Sequence, residues 1–137
     1  MKSLLATAAL ALGLGPCGIA RAQDWPRQPI KIVANFAPGG AADQLARVIS
    51  APLHEALGQP VLVENRGGAG GNLGGDFVAK SPADGYTFLM SSGGMVSINP
   101  HIYAKMSFDP AKDLVPVASV ARVPFYLVVR ADSPVKD

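Results

Sequence analysis

The chain has 137 residues, 49% of them hydrophobic and 16% charged, and its formal net charge is +2 at pH 7. Its twelve basic and ten acidic side chains are interspersed without a run of either sign, which excludes the basic footprint of a nucleic-acid-binding protein and an acidic tail. The single cysteine excludes an internal disulfide and a zinc site built from several thiolates.

The first 22 residues are typical of a secretory signal peptide. Lys2 provides the positive charge, Leu4–Leu14 is a mainly apolar run, and Ala20–Ala22 has the small-x-small pattern of a cleavage site. The apolar run is too short to span a bilayer as a helix. We therefore expect cleavage after Ala22 and a mature protein in the periplasm. A buried N-terminal helix is the less favoured alternative.

The cysteine, Cys17, lies inside this predicted leader, so the mature chain would have no thiol for catalysis. Pro16 precedes it, whereas a lipoprotein signal favours a small residue there, so we do not expect lipidation. The leader also contains Lys2 and Arg21, which leaves ten basic and ten acidic residues in the mature part. The pI near 8.9 therefore partly reflects the leader.

Three predicted strands each run directly into a glycine-rich loop. Glycine lets a backbone come close to a bound group, and ligands of open α/β sheets lie beyond the carboxyl ends of the strands. The pattern therefore predicts binding of a small anionic molecule through backbone N–H groups rather than side-chain catalysis. The strand and loop pairs are Ile30–Phe36 with Ala37–Asp43, Val61–Asn65 with Arg66–Asn72, and Tyr86–Met90 with Ser91–Gly94.

Helices are predicted between these strands. After the first loop, Asp43 complements the dipole of a helix, Gly58 is a C-terminal stop and Pro52 predicts a kink. The alternation of strands and helices predicts a mostly parallel α/β sheet with right-handed crossovers. The apolar residues of the first helix are Leu45, Val48, Ile49, Leu53 and Leu57; further elements are helices over about Leu73–Lys80 and Asn99–Tyr103, a turn over Asp109–Leu114, and strands over Val117–Val123 and Phe125–Val129.

The last residues resemble the start of another helix, with Ser133 as N-cap and Pro134 at the first helical position. Only three residues follow, so we expect a longer protein of which this chain is a part. A shortened gene product and an incomplete sequence both remain open, and the nucleotide sequence downstream of Asp137 distinguishes them.

A set of short motifs follows in order from Trp25 to the end of the chain. They are Trp25-Pro26 through Pro29-Ile30, Phe36-Ala37-Pro38-Gly39-Gly40 with Asp43, Leu57-Gly58-Gln59-Pro60-Val61, Glu64-Asn65-Arg66 before Gly68–Asn72, Asp84-Gly85-Tyr86-Thr87, Asn99-Pro100 with Tyr103, Phe108-Asp109-Pro110, Lys112-Asp113 and Leu114-Val115-Pro116-Val117. Each motif alone is weak, but in this order the chain resembles the Bug/TctC family, the periplasmic solute-binding receptors of tripartite tricarboxylate transporters.

The resemblance implies a two-lobed α/β protein of the type II periplasmic-binding-protein kind. This chain would contain the mostly parallel sheet of the first lobe, with the second lobe absent. The implied segments are a signal peptide over 1–22, the first α/β lobe over 23–123, and a crossover strand with the start of the second lobe over 124–137. The implied partners are a small carboxylate ligand and the membrane subunits of a tripartite tricarboxylate transporter, with no cofactor, no metal site and no enzymatic activity.

The carboxylate clamp of the family falls on two loops of this sequence. In the first, backbone amides at a helix N-terminus would face the ligand. In the second, a serine hydroxyl and an amide would donate. Met95 and Val96 depart from the polar residues of many members, which favours a ligand with some apolar surface. The implied binding residues are Phe36, Gly39, Gly40, Ala41 and Asp43 in the first loop, and Ser92, Gly93 and Asn99 in the second.

Several residues keep two interpretations. The glycines of both clamp loops could form plain tight turns, and Gly67–Gly71 could be a strand-to-helix turn or line the cleft. Arg66 could bind a carboxylate, or it could lie behind the ligand contacts or pair with an aspartate. His54 and His101 lack metal-ligand spacing and are interpreted as surface or packing residues. Aromatic residues expected in the core are Tyr86, Phe88, Tyr103 and Phe125.

Two alternative functions also remain open at this point. The first is a non-functional fragment of such a receptor. The second and much less favoured is a small exported hydrolase, because the sequence has no G-x-S-x-G nucleophile motif and no paired arrangement of carboxylates.

Overall fold

The protein is described by a computed structural model over residues 25–124 and 126–134. The predicted leader with its cleavage site, and Phe125, lie outside the described residues. In chain order the elements are β1 (Ile30–Ala34), α1 (Ala41–Leu57), β2 (Val61–Asn65), a 3₁₀ turn (Ala69–Gly71), α2 (Asn72–Ala79), β3 (Thr87–Met90), α3 (Gly93–Ser97) and α4 (Asn99–Ile102).

The three strands form one parallel sheet in the order β2-β1-β3. The central residue Ile32 lies beside Val63 on one side and Phe88 on the other. Because all three strands run in the same direction, the loops that follow them meet at one edge of the sheet. This edge is called the carboxyl edge below. The predicted parallel α/β architecture is confirmed.

Helix α1 covers one face of the sheet and forms the main core. Ile32 and Ala34 of β1 pack with Ala42 and Ala46 of α1. Val48, predicted to face the core, is 70% exposed, because it lies about 100° around the helix from Ile49. The helix continues through Pro52 and ends at Gly58, which has φ 68° and donates its N–H to the carbonyl of His54.

Helix α2 packs on the opposite face through two glycines. A Cβ atom added to Gly74 would lie 2.7 Å from Cβ of Asn35 and 2.8 Å from the carbonyl oxygen of Arg66. One added to Gly75 would lie 2.5 Å from the ring of Phe108, which is buried. The backbone of α2 therefore reaches the carboxyl edge at a distance that a side chain would prevent.

The two strands predicted after residue 116 do not form in the described residues. The apolar side chains of this segment are exposed, and Leu127 is exposed completely. A strand needs a neighbour that accepts and donates its backbone hydrogen bonds, and the segment lies alongside neither open edge of the sheet. The apolar, β-branched sequence is compatible with a strand but does not create one alone. The domain boundary at residue 123 stays a prediction. None of the described helices is long and apolar enough to cross a membrane.

Candidate functional site

The loop between β1 and α1 uses part of its hydrogen-bonding capacity internally. The N–H of Gly39 donates to Oδ2 of Asp43 at 2.8 Å, and the N–H of Gly40 donates to the carbonyl of Ala37 at 3.2 Å. Two of the three amides expected to face a ligand are thus engaged within the loop. Gly40 is the N-cap and gives no side-chain cap. The first N–H groups of α1, starting with Ala41, have no acceptor within the helix, which is the arrangement that favours an anion at a helix N-terminus.

Asp43 holds this loop in place through a hydrogen bond to its side chain. Its side chain is buried and accepts hydrogen bonds from Gly39 and from the guanidinium of Arg47, whose Nε lies 3.0 Å from Oδ1. These bonds, that of Arg47 first, lower the pKa of Asp43 from 3.8 to about 2. The ion pair also compensates the negative charge that Asp43 brings to the start of α1. Asp43 therefore shapes the loop, and its carboxylate oxygens are occupied by protein groups.

We expect Asp43→Asn to lower stability at pH 7, because it removes the ion pair with Arg47. The folded-state pKa lies below the ordinary value, so the contribution of Asp43 is fully present above about pH 4 and is lost as the pH falls towards about 2. The difference in urea midpoint between wild type and variant should therefore shrink over that range. Glu64, Asp76 and Asp109 also have lowered pKa values, so the comparison of the two proteins isolates Asp43.

The control for this measurement is Glu55→Gln. Glu55 is an exposed carboxylate of the same helix, and the described part of the chain gives it no ion pair. Its replacement should leave the midpoint almost unchanged at every pH. An Asp43→Asn protein that is as stable as Glu55→Gln at pH 7 would contradict the role of Asp43 in the loop.

The loop after β3 places two candidate donors at the surface. Ser92 and Gly93 are exposed at the start of α3, and the Ser92 hydroxyl makes no capping hydrogen bond. The Ser92 carbonyl accepts the N–H of Met95 at 3.2 Å. Met95 is 1% exposed whereas Val96 is 47% exposed. Met95 is thus a core residue, whereas Val96 offers apolar surface in the helix that follows these donors.

Asn99 holds α4 against the loop that follows β2. Its buried side chain donates to the carbonyl of Gly70 at 3.0 Å and to Oδ1 of Asn72 at 2.7 Å. Gly70 has a left-handed φ and lies so close to Tyr103 that an added Cβ would be 2.8 Å from its hydroxyl. The glycine cluster is therefore a packed turn, and the N–H groups of the Asn99 side chain are committed to the protein.

Asn35 was not among the predicted binding residues. It follows β1, is fully buried, and donates to the carbonyl of Gly71 at 3.2 Å and to Oγ of Ser91 at 2.8 Å. Its side chain joins the ends of β1 and β3 to the loop after β2. The sequence feature that could have identified Asn35 is a polar residue between an apolar strand and a glycine-rich loop. Phe36, the next residue, is half-buried and packs against the core.

A groove of about 860 Å³ lies on the face of the sheet that α2 covers, and Lys31, Arg66 and Lys80 are among its lining residues. Each of these cations has a carboxylate partner in the protein: Glu64 for the first two and Asp76 for Lys80. Arg66 also lies over the ring of Phe77 at 3.6 Å. Arg66 is therefore paired with an acidic residue, but its partner is Glu64 and not the predicted aspartate. A groove whose cations are already paired is a poorer anion site than the carboxyl edge.

The histidines do not form a metal site. His54 and His101 are exposed, and Nδ1 of His54 lies 2.9 Å from the carbonyl of Gln59. Within residues 25–124 and 126–134, no group of three or more His, Cys, Asp or Glu side chains could hold a metal ion. The surface interpretation of both histidines is therefore supported.

Comparison with known families identifies the chain. Residues 45–137 match the profile described as the tripartite tricarboxylate transporter family receptor, TctC. The chain belongs to the TctC family. The matched residues include Ser92, Gly93 and Asn99 but not the first clamp loop, which ends at Asp43.

Curated relatives of the TctC family are considerably longer than this chain. A Pseudomonas protein encoded in the tcbD-tcbE intergenic region is 42% identical over 136 residues, which are 99% of this chain and 40% of that protein. BugT of Bordetella pertussis is 42% identical over 132 residues, with 93% and 40% covered. The chain thus spans about 40% of the length of these relatives.

Solved structures of TctC-like proteins share the fold. An R. palustris protein determined with adipate superimposes with a TM-score of 0.61 and is 44% identical, covering 64% of this chain and 29% of that one. MatC from Rhodopseudomonas palustris, with bound malate, gives a TM-score of 0.62 at 36% identity, with coverages of 65% and 30%. The sheet and its helices are therefore those of a periplasmic binding protein, of which this chain contains part of a lobe.

Proposed function

We propose that the chain is the N-terminal part of an extracytoplasmic receptor that captures a small dicarboxylate at the carboxyl edge. The observation that carries the proposal is the free N-terminus of α1, at Ala41, on the same edge as the exposed Ser92 and Gly93. The two loops supply backbone N–H groups and one hydroxyl, which are hydrogen-bond donors for a carboxylate. Membership of the TctC family supports a receptor rather than an enzyme.

The nature of the donors limits the ligand. Backbone amides at a helix N-terminus favour an anion through the helix dipole without adding a full positive charge. Val96 offers apolar surface nearby, which suits a ligand with a short carbon chain between its carboxylates. The ligands of two related structures, adipate and malate, have this chemistry. We infer the same class for this chain.

The cellular setting follows from the leader and the family. We infer export by the predicted signal peptide, cleavage after Ala22, and delivery of the bound carboxylate to the membrane subunits of a tripartite tricarboxylate transporter. N-terminal sequencing of the exported protein should find Gln23 as its first residue. An intact Met1 or a lipidated Cys17 would contradict this part of the proposal.

This chain alone is expected to bind weakly. Each net hydrogen bond contributes about 1 kcal/mol, and somewhat more when the acceptor is charged. A few such bonds barely offset the lost freedom of the ligand, so we expect a Kd in the millimolar range, about −4 kcal/mol, or binding too weak to detect. A carboxylate held by one lobe also keeps half of its hydration, so its polar contacts are not strengthened by the exclusion of water.

The experiment that tests the site is a titration followed by backbone amide NMR. Malate and adipate should each cause saturable shifts with a millimolar Kd at Ala41, Ala42, Ser92 and Gly93. Adipamide, the neutral diamide with the same carbon chain, is the control and should cause no saturable shift at equal concentration. Shifts confined to the groove around Arg66 and Lys80, or equal effects of adipate and adipamide, would contradict the proposed site.

A further inference from the structure

Asn35 links three separate parts of the carboxyl edge through one side-chain amide. Its Nδ2 donates to the carbonyl of Gly71 and to Oγ of Ser91. The Ser91 hydroxyl then donates to the carbonyl of Ser92 at 3.3 Å. A continuous chain of hydrogen bonds therefore runs from the loop after β2, through the end of β1, to the proposed donor Ser92.

The surroundings of Asn35 are shaped to admit this side chain. A Cβ atom added to Gly71 would lie 2.3 Å from Nδ2 of Asn35, and one added to Gly74 would lie 2.7 Å from its Cβ. Both positions therefore need glycine for Asn35 to take this conformation. The fit fixes the amide in one place, so its two donors have a defined direction.

Stability alone does not account for Asn35. Its Oδ1 is buried and has no hydrogen-bond partner among the described residues. A buried acceptor without a partner is unfavourable, and an apolar residue of similar shape would avoid that cost, although it would also remove the donor that the Gly71 carbonyl and the Ser91 hydroxyl accept. The side chain is thus better explained by where its two N–H groups hold the neighbouring loops than by its contribution to the folding free energy.

We propose that Asn35 is a positioning residue of the carboxylate site, which fixes Ser92 relative to the N-terminus of α1. The inference rests on the proposed function and assigns to it a residue that does not itself touch the ligand. Ala41 and Ser92 belong to different loops, so each would have to be ordered when a ligand binds. A link that orders both in advance lowers the entropic cost of binding.

Two substitutions separate this role from a general structural one. Asn35→Ala removes both donors, and Ser91→Ala removes only the arm that leads to Ser92. We expect Asn35→Ala to raise the Kd for malate about tenfold, because the two loops would then have to be ordered when the ligand binds and that cost would weaken binding, and Ser91→Ala to raise it several-fold. In ligand-free protein, Asn35→Ala should shift the amides of Gly71 and Ser92–Met95, whereas Ser91→Ala should shift only those of Ser92–Met95.

Gly58→Ala is the matched control. It strains a left-handed residue at the far end of α1, so it should lower Tm without changing the Kd or the amides of the carboxyl edge. If Asn35→Ala does not fold, Ser91→Ala decides the matter, because Ser91 is only half-buried and the bond from Asn35 to Gly71 is kept.

The inference is overturned if Asn35→Ala, or Ser91→Ala where it alone folds, changes the Kd no more than Gly58→Ala does. Amide shifts spread evenly over the sheet would also overturn it, since they indicate a general loss of packing. A wild-type protein that binds neither malate nor adipate would refute the proposed function instead. The ligand-free amide shifts would then still show whether Asn35 links the loops.

Discussion

Replacing Gly74 with alanine is expected to destabilise the protein by about 2–3 kcal/mol, the upper part of the range for overpacked cores. The added methyl group would lie 2.7 Å from Cβ of Asn35, 3.0 Å from its Cα and 2.8 Å from the carbonyl oxygen of Arg66. These atoms belong to or adjoin the backbone of two strand ends, so no side-chain rotation relieves the contact. The clash should outweigh the gain of about 1 kcal/mol that alanine brings to a helix.

The measurement is thermal unfolding, with Gly94→Ala as control. Gly94 also lies in a helix, but a Cβ added there meets its nearest atoms at 3.7 Å, an ordinary contact. Gly74→Ala should lower Tm by roughly 10 °C in a domain of this size, whereas Gly94→Ala should leave it unchanged or raise it. A Gly74→Ala protein as stable as Gly94→Ala would show that α2 does not pack against the carboxyl edge as described.

Gly40→Val is expected to abolish binding, so malate and adipate should no longer shift the backbone amide signals of the carboxyl edge. Gly40 has an extended backbone, φ −73° and ψ 169°, that valine adopts without strain. Its added Cβ would lie 3.1 Å from the carbonyl of Ala37, which a small shift relieves. The valine methyl groups would, however, stand beside the N–H groups at the start of α1, where the carboxylate must approach closely. Valine is also a poorer N-cap than glycine, which costs about 1 kcal/mol of stability.

Because the variant loses some stability, a control with a similar loss is needed. Gly58→Ala places a Cβ on a left-handed residue, which costs about 1–2 kcal/mol, at the opposite end of the 17-residue helix. Both proteins should therefore melt within a few degrees of each other, while only Gly40→Val loses its ligand shifts. Unchanged binding by Gly40→Val would show that the helix N-terminus is not part of the site.

The sequence alone was sufficient for the layered α/β fold, and it predicted the loops at which we propose that a ligand binds. The apolar composition of segments such as Ile30–Ala34 and Val61–Asn65 predicts strands, and the glycines after them predict the loops. Helix α1 was predictable because its apolar residues recur at helical spacing and Gly58 ends it. These features depend on residues close together in the chain, so local physical chemistry determines them.

The roles of individual residues in the loops depended on contacts between distant segments. The sequence placed Gly39 and Asp43 together in the clamp, but only the folded loop showed that the two bind each other. Asn35 gave no strong signal, because its partners Gly71 and Ser91 are 36 and 56 residues away. A side-chain amide can bond to any nearby acceptor, so its role becomes defined only when folding decides which acceptor is near.

The segment after residue 116 also separates what the sequence specifies locally from what depends on tertiary contacts. Its apolar and β-branched residues specify an extended chain, yet Leu127 and Val128 stay exposed and no strand forms in the described part. Strand propensity is a local property, whereas a strand exists only through hydrogen bonds to a neighbour. The sequence thus determined which segments could be strands and helices and where the loops would meet. Tertiary structure decided which strands found partners and which amide groups stayed free for a ligand, because both depend on groups far apart in the chain.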